Sequence, residues 1–197
     1  NTCPTKTTDL IFIGSLFSNI DFHDKRLDYI KEIFNANINF KFFANIQYDN
    51  YISLKLKQAI FLTIPFLKMM GLEELIKSIT PVRKVGDLNH FPRNNRTFDE
   101  FRKKAISRPL FGIDMYQELA SSKIGFNIHG GVAGDYAANV RMFETTGVGT
   151  LLLTDSKKNL AEIYDLDKEV ISYNNIDDCL EKINWLLKNP KQANEIA

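Results

Sequence analysis

The sequence predicts an α/β fold: a parallel, doubly wound sheet with helices on both faces and one helical insertion. Short apolar runs dense enough to be buried on both faces, helices of about ten residues alternating with them, and glycines at the runs' ends carry that expectation. Residues 1–7 are polar and expected to fray. Leu10-Ile-Phe-Ile-Gly14 is an apolar run closed by glycine, a strand buried on both faces. His23 to Asn35 places Leu27, Ile30, Ile33 and Phe34 at helical spacing, and Asn39 to Phe43 has the aromatic character of a second strand. Tyr51 to Thr80 is apolar with helical spacing; Gly71 divides it into two helices, an inserted hairpin or cap whose apolar residues are expected to pack as core. Val82 to Leu88 is expected as a strand and 90–108 as a polar, basic loop with a short helix from Thr97.

The last ninety residues alternate more regularly. Helices are predicted at Asp114–Ser122, Asn139–Thr146, Asn159–Tyr164 and Ile176–Lys188, with a final helix opened by Pro190, whose ring suits a first helical position. Strands fall at Ile124–Ile128, Leu151–Thr154 and Val170–Tyr173, and a glycine-rich loop at His129–Tyr136. The whole of 1–197 is expected to form a single domain, and Asn at position 1 suggests a piece of something longer.

Hydrophobic residues make up 44% and charged residues 25%, which fits a globular chain and disfavours disorder. Lys and Arg number 25 against 24 Asp and Glu, a net charge of +1. That balance argues against gripping a nucleic-acid backbone but leaves room for one local basic pocket. The basic run Arg93, Arg96, Arg102, Lys103, Lys104 and Arg108 is interrupted by Asp99 and Glu100 and reads as a solvated face. Cys3 and Cys179 share no motif spacing, so neither a disulfide framework nor a zinc site is expected. The chain shows no signal peptide and no apolar run of the roughly 18 residues a membrane span needs. It reads as soluble and cytoplasmic, with peripheral attachment to the inner membrane face through 51–80 as the variant reading.

Doubly wound sheets bind ligands at the carboxyl ends of their strands, here Gly14-Ser15, Asn127 to Gly131, and Thr154-Asp155. The richest stretch is 129–150. Gly130, Gly131 and Gly134 allow close backbone approach, and the first amides of the helix near Asn139 suit an anion. Arg141 adds a fixed cation. Glu144, nearly one turn on, faces the same side and suits a ribose diol. Phosphate, sugar and carboxylate spacing agree on a nucleotide-type ligand. No GxGxxG motif stands at the first strand-to-helix turn, which disfavours an ordinary dinucleotide site. His129 ends a strand at this edge and suits either catalysis or a loop hydrogen bond. Asp155 is expected to cap the helix that follows it.

Phe143-Glu144-Thr-Thr-Gly-Val-Gly-Thr150, followed by an apolar strand and Asp155, resembles the corresponding block of group 1 glycosyltransferases of the GT-B fold. Asn139, Arg141, Phe143 and Glu144 resemble the Asn-x-Arg-x-Phe-Glu sequence of the CgeB-like spore-maturation subfamily. Phe12-Ile-Gly14-Ser15 with His23 and Arg26, and Glu169 to Tyr173, are similar as well; the likeness is strong from about Gly112 and weak over 51–108. The resemblance implies a Rossmann-like domain, the C-terminal, donor-binding half of a two-domain transferase. Its partners would be a nucleotide-diphosphate-sugar donor, an unidentified acceptor and an N-terminal acceptor domain, with no metal or other cofactor. By the same resemblance, Glu144 would hold the donor ribose. Gly14, Ser15, Gly130, Gly131, Gly134, Asn139 and Arg141 would surround the diphosphate, with Arg26 or Lys25 assisting. Asp135, Tyr136 and His129 would line the sugar side, and His129 and Arg141 are the candidate catalytic residues. Tyr136 stands where group 1 members commonly carry a second glutamate, and Ser15 where an arginine is common. A non-catalytic nucleotide-sugar-binding or scaffold domain and a nucleotide-sugar epimerase of the same fold are the rival readings.

Overall fold

The apolar runs of the sequence become the strands of one sheet. A computed structural model describes residues 5–17, 21–47, 49–72, 109–130 and 134–197, together with Glu74, Ser78, Val85, Phe91 and Pro92. Among the described residues the sheet comprises β1 (Thr8–Phe17), β2 (Phe40–Gln47), β3 (Ser122–Asn127), β4 (Leu151–Asp155) and β5 (Val170–Tyr173). All pairings are parallel, in the order β2-β1-β3-β4-β5. The helices are α1 (Asp21–Asn35), α2 (Tyr51–Met69), α3 (Gly112–Ala120), α4 (Val140–Gly147), α5 (Leu160–Ile163), α6 (Ile176–Lys188) and α7 (Pro190–Ile196).

Winding reverses at β1, with β2 on one side and β3 to β5 on the other. Right-handed crossovers then send the helices of the two halves to opposite faces. On one face α1, α6 and α7 bury Leu27, Ile30, Ile183 and Leu186 against Leu10, Phe12, Phe126 and Leu153. On the other, Met115 and Leu119 of α3 meet Ile11, Ile13 and Phe43, while Met142 and Leu160 meet Leu152 and Val170. Caps fix the helix starts locally: Asn139 accepts from the Arg141 amide and Asn175 from the Asp178 amide.

β1 continues to Phe17 rather than stopping at Gly14. The glycine serves packing: a Cβ there would lie 2.6 Å from Cζ of Phe12, whose ring is buried. In the insertion, Asn50 caps α2 through the Ser53 amide at 2.8 Å, and Gly71 follows its end in the left-handed conformation (φ 72). The division at Gly71 is therefore present, but the expected core packing is not. α2 buries only Leu54 and Ile64. Val85, expected in a strand, is helical and buried against Ile64 of α2. Cys3, Gly131, most of 73–90 and the basic run of 93–108 lie outside the described residues.

Candidate functional site

Pairing between β1 and β3 ends at Ile11 with Gly125, whereas β1 stays paired with β2 as far as Phe17 with Gln47. The carboxyl ends of β1 and β3 therefore part at the point where the winding reverses, the position at which open α/β sheets bind ligands. A crevice of about 440 Å³ opens there. Its described walls are Gly14 and Ser15 of β1, Asn127 and Ile128 at the end of β3, Phe111, Met115 and Tyr116 around α3, Asn139, Arg141 and Glu144 at the start of α4, and Arg26 of α1.

Arg26 spans the gap between the parted strands. Its Nε and Nη2 donate to the Ile128 carbonyl at 3.1 and 2.8 Å, and Nη1 reaches the Ser15 carbonyl at 3.4 Å. Burial draws its pKa down, and the nearby Asp155 carboxylate partly offsets that. An arginine remains charged throughout, so the crevice carries a fixed cation between its two strand ends.

The start of α4 is tied to the sheet by a polar chain. Asn127 donates to Thr154 Oγ1 at 2.9 Å, Asn139 donates to Asn127 Oδ1 at 2.7 Å, and the Arg141 amide donates to Asn139 Oδ1 at 2.9 Å. Strand alternation makes this possible, because Asn127 and Thr154 are register partners on the α4 face. From that fixed start the Arg141 guanidinium meets the Glu144 carboxylate at 2.8 Å and touches the sulfur of Met115. Burial draws the Arg141 pKa down, against the opposing pull of Glu144 and Tyr116. Glu144 uses Oε2 for this contact, and among the described residues its Oε1 accepts no hydrogen bond.

A second side-chain pair lies at the same edge on the opposite face. Asp155 Oδ1 accepts from the His129 amide at 2.8 Å and meets His129 Nδ1 at 2.6 Å, with Lys157 at 3.4 Å from Oδ2. Asp155 thus binds a strand end rather than capping the following helix as expected. Burial alone would raise its pKa; the His129 ring and amide bonds and the charges of His129 and Lys157 outweigh burial and hold it below the ordinary value. The His129 side chain is only 2% exposed, and its Nε2 is buried with no partner among the described residues.

The structure therefore brings Gly14, Ser15, Arg26, Asn139, Arg141 and Glu144 together around one crevice. It does not bring His129, Gly130, Gly134, Asp135 or Tyr136 to those walls. His129 turns inward to Asp155. Asp135 pairs with Lys158 at 2.8 Å in full solvent, and Tyr136 is exposed. Lys25 is exposed, beside Arg26 in sequence but outside the crevice. Sequence reasoning missed the α3 wall and the Thr154 anchor. The available signal for that wall was Phe111, a large apolar residue just before the glycine that opens α3, which is exposed at the crevice. Among the described residues no group of three His, Cys, Asp or Glu side chains is placed to hold a metal ion.

A family model described as glycosyl transferase-like matches residues 69–197. No curated protein sequence matches the chain. Among solved structures, HepE (Alr3699) from Anabaena in complex with UDP and glucose is similar over 96% of this chain and 41% of its own, with a TM-score of 0.52 at 8% identity. The same protein in complex with UDP gives a TM-score of 0.51 at 8% identity, over 96% of this chain and 42% of its own. The C-terminal domain of a group 1 glycosyl transferase family protein (LpcC) from Francisella tularensis gives 0.48 at 9% identity, over 98% and 82%. The chain thus spans about two fifths of the HepE chain, and the likeness is one of fold.

Proposed function

The chain belongs to the glycosyl transferase-like family, and from that premise we propose that its crevice binds the nucleotide-diphosphate portion of an activated sugar for transfer to an acceptor. The observation that carries this reading is Glu144: a carboxylate on the wall of a crevice at the winding reversal, steadied by Arg141 through one oxygen and open through the other. A ribose diol donates two hydrogen bonds, and such a carboxylate accepts them without moving. The α4 start and Arg141 then face the diphosphate, with Arg26 as the second cation. Negative charge grows on the diphosphate as the sugar departs, and fixed cations and helix amides stabilise that charge without a metal. In this proposal Arg141 is the catalytic residue, and His129 positions the β3 end through Asp155.

The finer resemblance to the CgeB-like subfamily rests on Asn139, Arg141, Phe143 and Glu144. An N-terminal acceptor domain and an unidentified acceptor complete the proposed enzyme. A second reading, donor binding without transfer, is favoured by one observation: Tyr136, where a second glutamate is common, is exposed and outside the crevice walls.

UDP, the nucleotide bound in the similar HepE structures, is the first probe. Titration calorimetry is expected to detect UDP binding, and Glu144→Ala is expected to weaken it by roughly 1.5–3 kcal/mol, the range of charge-assisted hydrogen bonds. Unchanged affinity would remove Glu144 from the site. UDP release from UDP-glucose only when an acceptor is supplied would separate transfer from mere binding.

A further inference from the structure

Two buried polar side chains interrupt the apolar face of the sheet beneath α4. Asn127 of β3 and Thr154 of β4 are register partners, 3% and 0% exposed, on the face where Leu152 and Val170 meet Met142 and Leu160. Apolar side chains of the same shape at both positions would cost little or no stability. What the polar pair adds is direction. Asn127 Nδ2 donates to Thr154 Oγ1 at 2.9 Å, Asn139 Nδ2 donates to Asn127 Oδ1 at 2.7 Å, and the Arg141 amide donates to Asn139 Oδ1 at 2.9 Å. The outer end sets the polarity of this chain, because an amide N–H only donates. Asn139 must turn its oxygen to Arg141 and its nitrogen inward. Asn127 then offers its oxygen to Asn139 and its nitrogen to Thr154, which closes the chain as acceptor.

The opposite face holds the same residue by its backbone. Pairing of β3 with β1 stops at Gly125 and with β4 at Asn127, so backbone groups at the β3 end need partners from outside the ladder. Tyr173 of β5, wholly buried and stacked on Phe126 at 5.8 Å between ring centroids, donates its hydroxyl to the Asn127 carbonyl at 2.8 Å. Asn127 is therefore fixed through its carbonyl on one face and its carboxamide on the other. Asn127, Asn139, Arg141 and Glu144 line the crevice, whereas Thr154 is not among its walls. The Thr154 hydroxyl reaches the crevice through Asn127.

We propose that Asn127 and Thr154 are positioning residues of the donor site. They act through the α4 start, which they seat so that Arg141 and Glu144 face the crevice at the spacing one nucleotide diphosphate spans. This assignment rests on the donor reading of the crevice. It deepens that reading by placing part of the donor affinity in a fully buried hydroxyl.

The test is UDP titration of Thr154→Val, which keeps the shape and removes the acceptor, beside Thr154→Ser, which keeps the hydroxyl. UDP affinity is expected to fall by about three- to tenfold in Thr154→Val, the scale of one neutral hydrogen bond, and to be largely restored in Thr154→Ser. Asn127→Ala is expected to lose at least as much. Adding Thr154→Val to it is expected to cost nothing further, because both residues act along one chain. In the ligand-free protein, amide hydrogen exchange over 139–144 is expected to quicken in Thr154→Val and not in Thr154→Ser. Parental UDP affinity or parental exchange over 139–144 in Thr154→Val would overturn the assignment even with a lowered melting temperature, and so would additive losses in the double variant. A parent chain that binds no UDP would remove the donor reading and this assignment with it, whereas parental affinity in Thr154→Val removes the assignment alone.

Discussion

Two side-chain pairs, each with a carboxylate, stand at the carboxyl edge of one sheet, on opposite faces, and they are built for different ends. Arg141 and Glu144 are neighbours on a helix, and each side chain is about one fifth exposed at the crevice wall. His129 and Asp155 join the ends of adjacent strands, with the ring almost wholly enclosed. The first pair leaves a carboxylate oxygen for a ligand; the second directs both of its bonds onto the protein. The contrast teaches that charge at a strand end marks a binding site only when the fold leaves an acceptor or donor unspent and facing open volume.

The largest expected effect separates the two pairs by stability. Asp155→Ala leaves the His129 amide and ring nitrogen buried without their acceptor and is expected to cost about 2–4 kcal/mol in denaturant unfolding. Glu144→Ala removes a half-open helix pair and is expected to cost less than about 1 kcal/mol in the same measurement. Equal losses would erase the distinction. A pH series sharpens it. The folded chain holds the Asp155 carboxyl below its ordinary pKa, so the charged form is the one the fold prefers. Its contribution is complete above the unfolded value of about 3.9 and drains as pH falls through the lower folded value. The stability gap between the parent and Asp155→Asn is therefore expected to narrow as the pH falls below about 4. A gap that widens in acid would reverse the assignment.

Next in size is Gly125→Ala. Gly125 lies in β3 with Thr145 of α4 directly over it, and a Cβ would run into the Thr145 methyl. α4 must lift, at a cost of about 1–3 kcal/mol. Because α4 carries Asn139, Arg141 and Glu144, this substitution is expected to weaken UDP binding as well, unlike Asp155→Asn. Loss of stability with full UDP affinity would show that the crevice does not depend on the seating of α4.

How much of this was legible follows from the range of the interactions. The strands and helices after residue 109 were legible because their signals are local: buried apolar runs, the Asn139 and Asn175 caps, Pro190 at a helix start. Arg141 and Glu144 were legible as a pair because residues three apart on one helix share a side. Met115 against Arg141, and Asp155 against His129, are each separated by 26 residues; the first pair meets because α3 and α4 pack beside each other, the second because β3 and β4 end level. No spacing rule reports such meetings. The α2 face failed for a different reason: helical periodicity identifies apolar faces but not which of them lacks a partner.

The smallest expected effect concerns the loop that the sequence placed beside the sugar. Asp135 binds Lys158 at 2.8 Å with both side chains well exposed, and the pair draws the Asp135 pKa down through that hydrogen bond and charge. Water and salt screen such a pair, and each partner gives up side-chain freedom to form it. Asp135→Asn is therefore expected to leave the melting temperature and UDP affinity unchanged while Glu144→Ala lowers affinity. Repeating the titration with UDP-glucose is the stricter comparison, because the sugar extends beyond the nucleotide. If Asp135→Asn weakens UDP-glucose but not UDP, the loop closes onto the sugar when donor binds, and its exposed position describes only the ligand-free state. Equal binding of both ligands by parent and variant confines recognition to the crevice walls, where Arg141 and Glu144 stand.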